Sequence, residues 1–266
     1  NSGDTSNNPY GGLSYTKNPL IPALDENGNV PEVMWADGNY NTRYLIEQQP
    51  KQTNSYNLLG SFNVEIEPFK NFKIASRAGV DAYTSRYGYT LYPSADFAGG
   101  SGSRKRSSGL GYSATITNTL EYSFSIADQH HISVLAGQEG VTNYAESFSA
   151  SSEELSDDRL LNLQNGSQSK YDMSESMSQS VFLSFFGRLD YSIMDKYYFD
   201  ASVRNDACSR FGVNNRNATF WAVGGMWKIK GEDFLYAVDA VNDLNFKVSY
   251  GTQGNASIGN YQHLGL

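Results

Sequence analysis

Asp206, Ser209, Arg210, Phe211 and Gly212 bring an acid, a hydroxyl, a guanidinium and a flexible glycine close together in the chain. Their spacing suits a turn better than a reaction. Asp206 and Arg210 can pair across it, and Gly212 permits a tight backbone, so the set reads as loop-shaping. Arg188 and Asp190 lie two apart and share one face of any strand, where they read as lining a polar interior. A second group is aromatic: Trp35, Tyr40 and Tyr44 in one polar stretch, Tyr87, Tyr89, Tyr92 and Phe97 in another. Such rings stack on sugars or hold peptides by their apolar faces, and equally pack a loop against itself. They are the ligand-binding candidates.

Other chemistry finds little support. Asp25, Asn27 and Asn29 with Gly28 echo the start of a calcium loop, but the downstream Glu is missing, and a plain turn fits better. His130 and His131 are adjacent, so on a strand they point to opposite faces. The single Cys208 excludes an internal disulfide framework and a multi-cysteine zinc site. Gly99-Gly100-Ser101-Gly102 follows no strand-to-helix pattern and is no phosphate cradle. Neither a nucleophile elbow nor an HExxH sequence occurs. No catalytic residue, metal or cofactor is expected.

Composition says what must hold these residues in place. Of 266 residues, 18% are charged and 14% aromatic, with 19 Tyr, 14 Phe and 25 Gly against 7 Pro. Those aromatics argue against disorder. Tyr, Phe, Thr and Val strands with Ser, Asn and Gly turns argue for β-sheet over helix. The formal charge is −8, and the one basic run, Arg104-Lys105-Arg106, sits in a Gly/Ser stretch and reads as a solvated loop. Nucleic-acid binding is not expected. No apolar run approaches the roughly 20 residues of a membrane-crossing helix, which leaves a closed barrel as the membrane form open to this chain.

The first fifty or so residues are dense in turn signals. After that the period becomes two. Tyr56, Leu58, Phe62, Val64 and Ile66 alternate with polar residues, and a turn at 68–71 leads into Phe72, Ile74, Ala78, Val80 and Ala82. The pattern recurs around Tyr112–Ile126 with Ile132–Ala136, and around Val181–Ile193 with Tyr197–Val203. Strands follow near Thr219–Ile229 and Leu244–Gly251. Between those two, Glu232–Val241 has room for one or two helical turns.

Three features set the class. The strands are long against a usual mode of about 5–6 residues. Short turns at 68–71, 127–129 and 194–196 alternate with long polar stretches at about 88–108 and 149–179. Each strand keeps one apolar face with too little helix to cover it. Membrane-spanning β-barrels combine these traits, whereas a soluble β-sandwich has shorter strands and more even loops. Tyr197, Tyr198 and Phe199 directly follow a short turn, where an interfacial girdle belongs. Trp221 and Trp227 share a face about 20 Å apart along the strand and fit within one band. The expectation is an all-β, antiparallel up-and-down meander of about eight strands.

The run Phe186-Gly187-Arg188-Leu189-Asp190-Tyr191, Asp195-Lys196-Tyr197, Ala201-Ser202-Val203-Arg204-Asn205-Asp206 and Ser209-Arg210-Phe211-Gly212 resembles the barrel of SusC/RagA-like TonB-dependent transporters of the Bacteroidetes outer membrane. Trp227-Lys228-Ile229, Leu244–Gly251 and Gly254–Tyr261 extend the resemblance, as do Asn18-Pro19-Leu20 and Glu65–Phe72. Ala207-Cys208 departs from the small residues usual before Ser-Arg-Phe-Gly. No signal peptide, energy-coupling box, plug or closing strands are recognised. The resemblance therefore implies an interior part of a barrel of about 22 strands, with 1–53 an irregular extracellular loop region and 54–266 barrel. It implies import of oligosaccharides or peptides across the outer membrane with a SusD-like lipoprotein. It also implies coupling to TonB–ExbB–ExbD through parts outside this sequence, with no catalysed chemistry.

Two other readings stay open at this point. About eight strands can close a barrel alone, giving a self-contained glycan-binding or adhesin module, either barrel or sandwich. A β-rich hydrolase is disfavoured by the missing catalytic set. An open sheet would also leave two unpaired edges and an apolar face, inviting self-association.

Overall fold

The structure is a computed structural model and describes residues 22–32, 40–212, 216–236, 238–255 and 259. A short helix α1 (Thr42–Gln48) precedes strands β1 (Lys51–Phe69), β2 (Phe72–Leu91), β3 (Gly102–Ile126), β4 (His130–Leu155), β5 (Asp172–Ile193), β6 (Tyr197–Cys208) and β7 (Asn217–Lys228). One helical turn, α2 (Asp233–Tyr236), leads to β8 (Asn245–Gly251). The strands form a single sheet in the order β1 to β8, each bonded to its sequence neighbours, as the meander expectation requires.

Alternation supplies the strands, and local backbone chemistry turns them. Ala127 and Asp128 both lie at positive φ (51° and 55°), as do Met194 and Asp195 (55° and 54°). Two consecutive positive φ values are the signature of a type I′ hairpin turn, whose twist matches that of the strands it joins. At the β1–β2 turn Asn71 takes the left-handed conformation (φ 65°), and its N–H donates to Glu67 Oε1 at 2.7 Å.

Register carries the alternation across the sheet. Leu183, Leu189 and Tyr191 of β5 stand opposite Ala207, Ala201 and Phe199 of β6. Val203 and Ala201 stand opposite Trp221 and Val223 of β7, which in turn faces Tyr250 of β8. Ser184, Arg188 and Asp190 fall together with Asp206, Ser202 and Asp200 on the other face. One face is thus apolar along β5 to β8, and the other gathers the charged and hydroxyl side chains, with Phe182, Phe186, Phe220 and Met226 among them.

Three sequence expectations shift. The stretch expected as irregular before residue 54 contains α1, and β1 begins at Lys51. The strands reach well into the long polar stretches from both sides: β2 runs to Leu91 and β3 starts at Gly102, while β4 runs to Leu155 and β5 starts at Asp172, so the connections shrink to 92–101 and 156–171. Cross-strand hydroxyl pairs replace apolar packing there, with Ser147 on Ser176 and Ser149 on Ser174, both at 2.8 Å. Consequently Arg104-Lys105-Arg106 lies on β3 rather than in a solvated loop, and Arg104 donates to Thr90 Oγ1.

Contacts group the chain into two units. One comprises residues up to Tyr56 with Thr84–Leu110 and Glu146–Ser176. The other comprises Asn57–Tyr83, Gly111–Ala145 and the chain from Met177 onward. In the first, Leu45, Leu155, Ala95 and Ala150 are buried with Asn41, Thr90 and Ser152. In the second, the described buried side chains are Cys208, Ser180 and Ser184, while Leu183, Phe185, Phe199, Val203, Trp221 and Val223 are exposed.

Candidate functional site

The polar face of the second unit holds a trough of about 700 Å³. Arg188, Asp190, Tyr198, Asp200, His131 and Lys247 line it, with Ser125, Ser133 and Ser249 between them. Arg188 and Asp190 share one strand face, as their spacing predicts, and also pair on it, with Nη2 2.7 Å and Nε 3.0 Å from Asp190 Oδ1. Asp190 stands directly opposite Asp200, a like-charge juxtaposition that a sheet tolerates where water reaches it. Gly224 faces Asp200, and a Cβ at that position would collide with the carboxylate. The two adjacent histidines diverge as a strand requires: His131 Nδ1 is 2.8 Å from Ser125 Oγ, whereas His130 Nδ1 meets Tyr191 Oη at 2.7 Å with the rings stacked.

A second polar network crosses four strands on the same face. Arg204 of β6 donates from Nη2 to Glu139 Oε1 of β4 (2.8 Å) and to Ser184 Oγ of β5 (2.9 Å), and from Nε to Asp206 Oδ1 (2.6 Å). Thr117 of β3 donates to the other Glu139 oxygen at 3.1 Å, and the guanidinium lies over the Phe186 ring at 5.6 Å. Gly137 leaves the space that Phe186 occupies, since a Cβ there would run into the ring. Sequence reasoning assigns Arg204 no role and Asp206 only one in shaping a turn. The usable signal was an Arg and an acid two apart on that face.

This network corrects the expected pairing of Asp206 with Arg210. The i, i+2 neighbour Arg204 shares its strand face and takes the carboxylate, while Arg210 lies beyond the end of β6 with its guanidinium over Phe182 at 5.5 Å. Ser209 continues the ladder instead: its N–H donates to Val181 O at 3.0 Å and its Oγ accepts from Val181 N at 2.9 Å. The Phe211 carbonyl accepts from Arg216 Nε at 3.4 Å, and Gly212 is the last described residue before 216.

The aromatic candidates fall in the first unit, apart from Trp35, which lies outside the described residues. Phe97 stands edge-on between Tyr40 (5.4 Å) and Tyr44 (6.3 Å). Tyr40 Oη reaches Asp96 Oδ2 at 3.5 Å, and Asp96 N donates to Tyr44 Oη at 3.4 Å. Burial, followed by the nearby Asp96 and Glu32 charges, raises the Tyr40 phenol pKa. Tyr44 sits on α1, whose N-cap Asn41 accepts from Arg43 N at 2.9 Å and donates to Ala23 O at 2.8 Å. Tyr89 lies under Lys51 Nζ at 5.7 Å and donates to Gln49 at 3.4 Å. Tyr87 and Tyr89 share one face of β2 rather than opening a loop, and Tyr92 and Pro93 follow that strand. Three of the seven candidates therefore meet in one cluster, while Tyr87, Tyr89 and Tyr92 lie along the chain leading to it. All six described rings are half-buried.

Two turns behave as plain structure. Asp25 accepts from Asn29 N (2.7 Å) and Asn27 N (2.9 Å), and these bonds, Asn29 foremost, hold its carboxyl below the ordinary range. Gly99 and Gly100 take positive φ (59° and 77°) after the turn Asp96–Ala98. Between β7 and β8, Glu232 accepts from Tyr197 Oη (2.7 Å), Trp227 Nε1 (3.0 Å) and Lys196 Nζ (3.3 Å). Those donors, Tyr197 first, lower its pKa. Among the described residues, no three His, Cys, Asp or Glu side chains are placed to hold a metal. No described helix is long and apolar enough to cross a membrane.

No family model matches the sequence. Among curated proteins, the chain is 28% identical over 229 residues to "TonB-dependent receptor P26" of Formosa agariphila, covering 79% of this chain and 22% of that protein. It is 39% identical over 82 residues to "TonB-dependent receptor SusC" of Bacteroides thetaiotaomicron, covering 31% of this chain and 8% of SusC. Among solved structures, the RagAB peptide transporter matches with a TM-score of 0.80 at 33% identity, covering 88% of this chain and 27% of that one. The chain thus spans about a quarter of the length of the P26 receptor and of the RagAB transporter chain it matches.

Proposed function

We propose that this chain, which matches SusC/RagA-like TonB-dependent receptors along most of its length, forms eight strands of the wall of an outer-membrane nutrient importer. The observation that carries this reading is the inverted burial of the second unit. Ser184 is 2% exposed, while its strand neighbour Phe185 is 57% exposed. In water that arrangement discards apolar burial worth roughly 25 cal/mol per Å². In a bilayer the apolar face meets hydrocarbon and the polar face lines a hydrated interior.

On this reading Arg188, Asp190, Asp200 and the Arg204 network face the lumen. The rings Tyr197 and Trp227, stacked at 6.5 Å with their polar tips on Glu232, form part of an aromatic girdle beside the short turns. Tyr40, Tyr44 and Phe97 form a half-buried aromatic cluster, the proposed contact for oligosaccharide or peptide. The RagAB likeness favours peptide and the SusC likeness leaves oligosaccharide open. A SusD-like lipoprotein at the outer mouth and TonB–ExbB–ExbD at the inner side complete the proposal. The wall and its loops carry no chemistry, because the work is transport.

The test is uptake by the native host. Disrupting the gene should abolish import of one labelled oligosaccharide or peptide class, and a tagged protein should co-purify from outer membranes with a lipoprotein. A water-soluble, detergent-free monomer that binds glycan would instead establish the self-contained surface module.

A further inference from the structure

We infer that Arg86, Arg104 and Arg106 form a binding site for the phosphorylated sugar head group of a glycolipid in the outer leaflet of the membrane. The inference rests on the reading that the face of β3 carrying Ile116 and Leu120 meets lipid. Register assembles the site from two strands of one unit. Arg104 donates to Thr90 Oγ1, and a Cβ on Gly88 would stand 3.1 Å from Arg106 Nη1. A Cβ on Gly109 would likewise meet Ser85 Oγ at 3.2 Å. Thr90, Gly88 and Ser85 of β2 thus stand opposite Arg104, Arg106 and Gly109 of β3, which sets Arg86 opposite Ser108. Arg86 shares its face of β2 with Gly88 and Thr90. The three guanidinium groups therefore leave neighbouring strands on one side, with Arg86 and Arg106 exposed and Arg104 half-buried. Lys105 points to the other side.

These cations lack acid partners. Arg43, Arg159, Arg188 and Arg204 each pair with a carboxylate. Among the described residues no carboxylate pairs with Arg86, Arg104 or Arg106. Arg104 and Arg106 are two residues apart, about 7 Å along the strand, where like charges repel. The Thr90 bond fixes the first, and the space over Gly88 admits the second. The fold thus gathers cations in a chain of formal charge −8 and leaves most of their N–H groups unmet by protein. An anion between them turns the repulsion into attraction, and the planar guanidinium fork takes phosphate oxygens two at a time.

Position along β3 names the ligand. Tyr122 and Tyr112 are exposed on the same face of this strand as the two arginines. They lie about 33 Å apart along it, which a tilt near 40° turns into about 25 Å of height, the span of a barrel's apolar band between its aromatic levels. Tyr122 is next to the short turn at 127–129, so Tyr112 marks the outer level. Beyond Tyr112 come exposed Leu110, then Ser108 at the level of Arg86, then Arg106. By the same conversion Arg86 and Arg106 stand about 10–15 Å above the aromatic level. The head-group layer of a phospholipid leaflet is only about 5–8 Å deep. A phosphate carried on sugars stands higher, and basic residues just outside the apolar band attract anionic lipid heads. The basic run on β3 thereby gains a role that neither transport nor the aromatic cluster uses.

The experiment uses the full-length receptor in nanodiscs of neutral phospholipid, with folding checked by heat-dependent gel mobility. Labelled lipopolysaccharide is titrated in with its phosphates, after their removal, and in competition with phosphatidylglycerol. The proteins are the parent, Arg86→Gln with Arg106→Gln, and Lys105→Gln, whose charge lies on the other side of β3. The parent is expected to bind the phosphorylated form about tenfold more tightly than the dephosphorylated one, the scale of one charge-assisted hydrogen bond. The double variant is expected to lose that preference, Lys105→Gln to keep it, and phosphatidylglycerol not to compete. A photo-cross-linker on Ser108→Cys, with Cys208→Ser as background, is expected to capture glycolipid in native outer membranes. Equal binding of the two forms, a double variant that keeps the preference, an equal loss in Lys105→Gln, displacement by phosphatidylglycerol, or capture of protein alone would overturn the inference. A spin label at Leu120→Cys separates the two levels: if it reports water, the lipid-facing reading fails and takes this inference with it. If it reports lipid while the parent shows no phosphate preference, the head-group site alone fails.

Discussion

In the unit containing α1, Leu45 and Leu155 are fully buried and the N-cap Asn41 has its side chain paired. In the unit running from Met177 onward, Leu183, Phe185 and Val203 lie exposed while Ser180 and Ser184 are buried. The same chain thus follows two burial rules. The first is that of a water-soluble fold, in which apolar groups leave the solvent and polar ones are satisfied. The second puts apolar groups outward, and on the proposed reading the medium they meet is hydrocarbon. The contrast teaches that exposure has no sign until the medium is known, and that alternation with a buried serine face is the readable mark of the second medium.

The sharpest way to break the comparison is to apply one rule to the other region. Leu45→Ala should destabilise the first unit by about 3–4 kcal/mol, the cost of a cavity at a fully buried leucine. It is read as early protease cleavage around α1, with the barrel's heat-modifiable mobility unchanged. Phe185→Arg, at an exposed position, would be nearly neutral in a water-soluble sheet. Facing hydrocarbon it should cost about 2–3 kcal/mol, measured as a lower folding midpoint in lipid vesicles.

Smaller effects sharpen the polar side. Arg204→Met removes the cation between Glu139 and Asp206 and should cost about 1–2 kcal/mol, moderated by the network's partial exposure. Arg204→Lys should recover only part, because the ammonium cannot reproduce the fork. Ala127→Gly should stabilise by about 1 kcal/mol, relieving a left-handed alanine. The least change comes from Asp157, whose carboxyl the Arg159 side chain holds at about 2. Being depressed, this group stabilises the fold above its unfolded value near 3.8, and the contribution disappears as the pH falls through about 2. Asp157→Asn and parent should therefore converge in unfolding midpoint below that pH and differ slightly above it.

Much of this was legible beforehand. The strand faces from Tyr112 to Val203 follow directly from alternation, and the shared face of Arg188 and Asp190 from spacing. The polar extensions were not, because Ser147, Ser149, Ser174 and Ser176 look like loop composition until their hydroxyls are seen to pair across strands. The partner of Asp206 was misassigned because Arg204 and Arg210 are both close in sequence, and only the end of β6 decides between them. The Tyr40–Phe97 cluster joins residues 57 positions apart, a contact that no local pattern encodes.

The account stands or falls on which side of the second unit meets lipid. Single cysteines at 183, 185 and 189, and at 184, 188 and 190, carrying spin labels in the reconstituted receptor, can be probed with oxygen and with a water-soluble nickel chelate. The account predicts oxygen-dominated relaxation at the three odd positions and nickel-dominated relaxation at the three even ones. Nickel-dominated relaxation at all six would contradict it.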